Sequence, residues 1–106
     1  MITEITADSF QDSVLTVKPY VLVFLQAPWC KLCEGVTPIL EKLAEEYDPE
    51  EVTFLKIDID SNPEVAETYG IRAIPGILLF KDGSTSSSMI GSFTRSQLVV
   101  FLNKNT

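Results

Sequence analysis

The chain has 106 residues, 45% of them hydrophobic, with a net charge of −7 and no histidine. That length suits one domain, taken as residues 1–106, with enough apolar material for a core without staples. The acidic balance argues against nucleic acid and anionic membrane surfaces as partners, and the missing histidine removes imidazole acid–base chemistry and the commonest metal ligand.

No apolar run approaches the roughly 18 residues that a membrane span needs. Met1-Ile2-Thr3-Glu4 has neither the basic nor the apolar segment of a leader, so a cytoplasmic protein is expected. Ile2 to Ile5 reads as a short strand. Thr6 or Asp8 is placed to cap a short helix through about Leu15, with Phe10 and Val14 on one face, and Lys18-Pro19 breaks it. Tyr20 to Gln26 is a strand with almost no alternation, which predicts a central strand covered on both faces.

A helix follows Cys30. Val36, Ile39, Leu40, Leu43, Ala44 and Tyr47 recur at helical spacing, and Glu41, Lys42, Glu45 and Glu46 fill the opposite face. Pro38 lies inside this pattern and is expected to kink the helix without ending it, because the pattern continues beyond. Asp48-Pro49 stops it. Val52 to Ile59 is the next strand. Asp60-Ser61-Asn62-Pro63 reads as a turn and helix start, with Pro63 near the first helical position. That helix runs to Tyr69, and Gly70 ends it. Ile77 to Phe80 is another apolar strand, and Asp82-Gly83 is a hairpin turn signal. Ser84 to Ser92 returns antiparallel as weak strand material, an exposed edge or a loop. Thr94 to Gln97 is a capping box, and Leu98, Phe101 and Leu102 stripe the last helix. The fold class is therefore α/β, a central mixed sheet of about five strands flanked by about four helices, written in order as βαβαββα.

The chemistry sits in Ala27-Pro28-Trp29-Cys30-Lys31-Leu32-Cys33, which holds both cysteines and the only tryptophan. Two cysteines at this spacing lie one helical turn apart, close enough to form and break a disulfide. They close too small a loop to serve as a staple. Cys30 falls at a helix start, where free backbone N–H groups and the helix dipole favour the thiolate. Cys33, one turn in, is placed to attack a mixed disulfide at Cys30. A zinc half-site is the poorer reading, since four ligands are needed and histidine is absent.

The pattern resembles the thioredoxin family nearly from end to end. Trp29-Cys30-x-x-Cys33 matches the active-site motif, Pro38 the proline of the active-site helix, and Tyr69-Gly70-Ile71-Arg72-Ala73-Ile74-Pro75 the segment that carries a cis-proline facing the cysteines. Lys56 and the Asp60-to-Pro63 turn have counterparts, and Gly83 and Gly91 fall on family glycines. The resemblance implies a protein-disulfide reductase with Cys30 as nucleophile and Cys33 as resolving thiol. Pro75 would be cis, keeping metal out and shaping a groove. Ile74 would pair through its backbone with an extended substrate. Trp29, Lys31, Leu32, Ile74, Pro75, Gly76 and Gly91 would form the docking surface. The redox-active Cys30–Cys33 pair would need no bound cofactor. The partners would be protein disulfides and a flavin- or ferredoxin-dependent thioredoxin reductase, with the chain acting as a monomer.

Three departures stand against the family pattern. Lys31-Leu32 replaces the usual Gly-Pro, which adds a positive charge beside Cys30 and favours a more oxidising couple, while Glu34 pushes the other way. Phe24 stands where the family has a buried aspartate thought to move the resolving cysteine's proton, and this leaves Lys56 without its usual partner. Gly76 replaces a polar residue after the cis-proline. These departures keep two alternatives open: an oxidase or isomerase of the same fold, and a non-catalytic binding module.

Overall fold

The structure, a computed structural model, describes residues 2–14 and 19–106. It contains β1 (Thr3–Ile5), α1 (Ala7–Val14), β2 (Tyr20–Gln26), α2 (Lys31–Glu46), β3 (Val52–Asp58), α3 (Pro63–Thr68), β4 (Gly76–Lys81), β5 (Ser84–Ile90) and α4 (Arg95–Asn105). The five strands and four helices match the expected content, but the full order is βαβαβαββα, longer by one strand and one helix than the expected string. Leu15 and Lys18, assigned from sequence to the end and break of the first helix, lie outside the described residues.

One sheet runs in the order β1-β3-β2-β4-β5. Strands β1 and β2 are both parallel to β3, which lies between them, while β4 is antiparallel to β2 and β5 to β4. The lack of alternation in β2 has its reason here, since Val21 through Leu25 are all buried. Leu22 and Phe24 face the layer that includes Leu40 and Leu43 of α2 and Leu98 and Leu102 of α4. Val21, Val23 and Leu25 face the layer that includes Phe10 of α1 and Val65 of α3. Full burial of each such side chain contributes about 1.5–3 kcal/mol, so the two layers clamp β2 from both sides.

Helix α2 continues through Pro38 to Glu46, with Val36, Leu40 and Leu43 buried and Ile39, Ala44 and Tyr47 packed at the margin. The hairpin turn carries Asp82 at φ +52° and Gly83 at φ +83°, the left-handed pair that a two-residue hairpin requires. A register shift between Leu79 and Phe80 lets Ser87 and Thr85 pair with them and leaves Ser86 as an extra residue. The capping box of α4 is complete. The Gln97 N–H donates to Thr94 Oγ1 at 3.1 Å, and the Thr94 N–H donates to Gln97 Oε1 at 2.9 Å.

The register also gathers three loops at one end of the sheet. Leu25 lies opposite Gly76 and Gln26 opposite Asp58, and the Ile59 N–H donates to the Gln26 carbonyl at 2.9 Å. The segments after β2, after β3 and before β4 therefore meet at the same end.

Candidate active site

Cys30 is the N-cap of α2, with extended backbone angles. Its sulfur accepts the Cys33 N–H at 3.2 Å, one of the donors left free by the first turn of a helix. The same geometry that satisfies this donor favours negative charge on Cys30 once the disulfide opens. Cys30 and Cys33 form a disulfide with their Cα atoms 5.2 Å apart. Both are buried, Cys33 at 2% exposure and Cys30 at 5%, so Cys33 is the deeper of the two. Thr37 donates its hydroxyl to the Cys33 carbonyl at 2.9 Å and ties the second turn to the first.

The floor of the pair is apolar. Phe24 is fully buried in the same cluster as both cysteines. It lies between Lys56 on β3 and Ile77 on β4. Among the described residues no polar or charged side chain is buried, so no titratable group sits beneath the disulfide. Lys56 is half-buried beside Phe24 and has no ion-pair partner among the described residues. Glu34 points to solvent and pairs with Lys31 at 4.0 Å.

The rim is formed by the other loops. Trp29 is 63% exposed, and its indole N–H donates to Asp60 Oδ2 at 2.6 Å. Together with Ile59, Ile71, Arg72, Ala73 and Ile74, Trp29 lines a shallow groove of about 300 Å³. The Ile74–Pro75 peptide bond is cis, as the resemblance implies. The Pro75 carbonyl accepts the Gly91 N–H at 2.9 Å, which fixes the end of β5 against this loop. Ile74 makes no such bond among the described residues, so its backbone groups stay available. Gly91 holds φ +109°, a value that a side chain would strain.

Not every residue singled out from sequence reaches this rim. Lys31 and Leu32 are exposed on the first turn of α2, outside the groove. Gly76 is buried, and a Cβ there would lie 3.2 Å from Ile71 Cγ2. The polar residue missing at Gly76 is thus a matter of packing space beneath the loop. Sequence reasoning did not single out Ile59, Arg72 or Asp60 as site residues. Asp60 had a signal, since it opens the turn after β3. Its hydrogen bond to Trp29 needs the β2–β3 register, which the sequence does not spell out.

A protein-family model described as Thioredoxin matches residues 1–104. The chain is 37% identical to a thioredoxin of Rickettsia bellii over 105 residues, covering 99% of each chain. It is 39% identical to a thioredoxin of Pyropia yezoensis over 103 residues, covering 97% of this chain and 95% of that one. Among solved structures, a single-residue mutant of a thioredoxin from Halobacterium salinarum superposes with a TM-score of 0.88 at 30% identity, covering 99% of this chain and 90% of that one. With a Cys-x-x-Cys pair at disulfide distance on a helix start, this chain belongs to the thioredoxin family and is a thiol–disulfide oxidoreductase of the protein-disulfide reductase type.

Proposed function

We propose that Cys30 attacks substrate disulfides and Cys33 resolves the product, with residues 1–106 acting as a single monomeric unit in the cytoplasm. In the reduced protein the Cys30 thiolate attacks one sulfur of a substrate disulfide. A Cys30–substrate bond forms, and the other substrate sulfur leaves as a thiolate and takes a proton. Cys33 then loses its proton, attacks Cys30 Sγ and expels the second substrate thiolate. Two electrons have moved to the substrate, and the Cys30–Cys33 disulfide remains. The observation that carries this assignment is the cap. Cys30 Sγ accepts the Cys33 N–H at the helix start, and Cys33 is buried one turn in.

The docking surface in this reading centres on Trp29 and Ile74 with Gly91 at its margin, Lys31 and Leu32 stand exposed beside it on α2, and the buried Pro75 and Gly76 shape it from beneath. The unbonded backbone of Ile74 supports strand-like pairing with an extended substrate. Phe24 has no acid–base capacity, and Glu34 faces solvent, so water takes the Cys33 proton. A flavin- or ferredoxin-dependent thioredoxin reductase would restore the dithiol and place the protein in an electron-transport chain.

Two measurements test this. Cys33→Ser should accumulate a stable mixed disulfide at Cys30 with a disulfide substrate, seen by intact mass, while steady-state turnover disappears. Trapping at residue 33 in the reciprocal Cys30→Ser variant would reverse the roles. Redox-buffer titration with thiol alkylation should give a potential near about −270 mV for a reductant. A value above about −200 mV would favour the oxidase or isomerase reading, which Lys31 beside Cys30 supports.

A further inference from the structure

The groove beside the cysteines carries one charge, and nothing in the chain neutralises it. Of the residues that line it, Trp29, Ile59, Ile71, Ala73 and Ile74 are apolar, and Arg72 alone is charged. Arg72 is exposed and has no ion-pair or hydrogen-bond partner among the described residues. Charged groups of the adjoining segments do have partners. Asp60 accepts the Trp29 indole N–H at 2.6 Å, Asp58 accepts the Asp60 N–H at 2.9 Å, and Lys31 pairs with Glu34 at 4.0 Å.

The loop that presents Arg72 is held at both ends. The Ile71 N–H donates to the Ala66 carbonyl at 2.9 Å, and the Pro75 carbonyl accepts the Gly91 N–H at 2.9 Å. Ile71 also packs over Gly76, where its Cγ2 fills the space that a side chain would need. A ligand of Arg72 therefore orders one side chain and not a loop, which keeps the cost of binding low. Arg72 lies two residues before Ile74, whose backbone groups are open. Side chains two positions apart on an extended segment lie on the same side, about 6.6–6.8 Å from each other. A segment paired with Ile74 thus brings a side chain about two positions further along within reach of the guanidinium.

Chemistry selects the occupant. A guanidinium is a planar fork of donors that fits a carboxylate with two parallel hydrogen bonds. The apolar wall around it suits an aliphatic neighbour. The net charge of −7 works the other way and repels an acidic substrate at a distance. That repulsion is screened over about 8–10 Å, so the group at the contact decides.

From this juxtaposition we infer that Arg72 is a specificity-determining residue, and that the groove selects disulfide substrates carrying an acidic side chain within a few residues of the reactive cysteine, beside an aliphatic one. The inference rests on the Cys30 chemistry proposed above. It adds a substrate class to that site.

The test uses two peptides, Glu-Glu-Val-Cys-Val-Glu-Glu and Lys-Lys-Val-Cys-Val-Lys-Lys, each joined through its cysteine to 2-thiopyridine. The Cys30 thiolate attacks the peptide sulfur, the Cys30–peptide disulfide forms, and 2-thiopyridone leaves and is read by absorbance. Second-order rates with the reduced full chain are each divided by the rate of the same peptide with mercaptoethanol. At physiological salt the parent should favour the glutamate peptide by about threefold or more, the range of an exposed ion pair. Arg72→Gln should bring the two rates close together, and Arg72→Glu should invert the preference.

Lys104→Glu makes the same change in net charge at the far end of the molecule. Tyr20, which opens β2, bonds to Thr106 beyond α4, whereas Cys30 follows the other end of that seven-residue strand. The separation is about 20 Å, twice the screening distance, so this variant should keep the parental ratio. A parental ratio of one or less overturns the proposal, and so does a ratio that Arg72→Glu moves no further than Lys104→Glu. Intact mass of Cys33→Ser after the same reaction separates the two levels. Peptide attached at residue 30 without regard to its charge strikes the role of Arg72 alone, whereas no attachment there strikes the Cys30 assignment with it.

Discussion

Helices α2 and α4 begin alike at the backbone. In each, the residue before the first turn accepts the N–H three positions on, Cys33 to Cys30 Sγ at 3.2 Å and Gln97 to Thr94 Oγ1 at 3.1 Å. In α4 the bond is returned, since the Gln97 side chain accepts the Thr94 N–H. That box is closed and its atoms are spent on holding the helix. In α2 the residue in the corresponding position is Cys33, whose side chain bonds covalently to the cap atom itself. When that bond opens, the cap becomes a polarised sulfur facing helix N–H groups. The same local device is structural where the cap is an oxygen and reactive where it is a sulfur, because only the sulfur ionises and attacks within an accessible pH range.

Exchanging the cap atom of α2 gives the largest effect. Cys30→Ser should abolish disulfide reduction in a steady-state assay, while the unfolding free energy stays within about 1 kcal/mol of the reduced parent, because serine is a good cap. A large stability loss would mean that the sulfur holds the helix in a way that the oxygen cannot.

Phe24→Asp attacks the floor of the same helix start. It should cost about 3–5 kcal/mol by chemical denaturation, since it removes a fully buried ring and buries a carboxyl. In single-turnover experiments it should speed release of the mixed disulfide, by giving Cys33 a nearby proton acceptor. An unchanged or slower release would show that the proton already leaves efficiently to water.

At the other start, Thr94→Ala should cost about 1 kcal/mol and leave activity at the parental level. A drop in activity would break the division between the two caps.

The smallest effect is expected at the first residue of α4. The hydrogen bond from Arg95, assisted by its charge, holds the Glu46 carboxyl below its ordinary value of 4.5. A carboxyl lowered on folding adds stability above its unfolded pKa and loses it as pH falls through the folded value. Arg95→Ala should therefore be slightly less stable than the parent at neutral pH, and the gap should close below about pH 4.5. Both groups are exposed, so salt should narrow the gap as well. A gap that widened on acidification would refute the pairing.

Much of this was legible in the chain itself, for identifiable reasons. The apolar run of β2, the helical spacing around Leu40 and Leu43, the Asp82-Gly83 turn and the Thr94 box are local patterns, and each appears where the pattern falls. The cis bond at Pro75 was legible only through family resemblance, because isolated X–Pro bonds favour trans. Sheet order was less legible, since nothing local says that β3 inserts between β1 and β2. The same gap hid the partnership of Asp60 with Trp29, which depends on two strand ends lying side by side. It also hid the burial of Gly76, whose neighbour Ile71 closes over it from a loop.

Trp29 gives the molecule a built-in optical reporter. It is the only indole in the chain, stands beside the disulfide, and is held in one orientation by Asp60. A neighbouring disulfide quenches indole emission, so brightness should rise on reduction and fall on oxidation, recording each half of the catalytic cycle without a label.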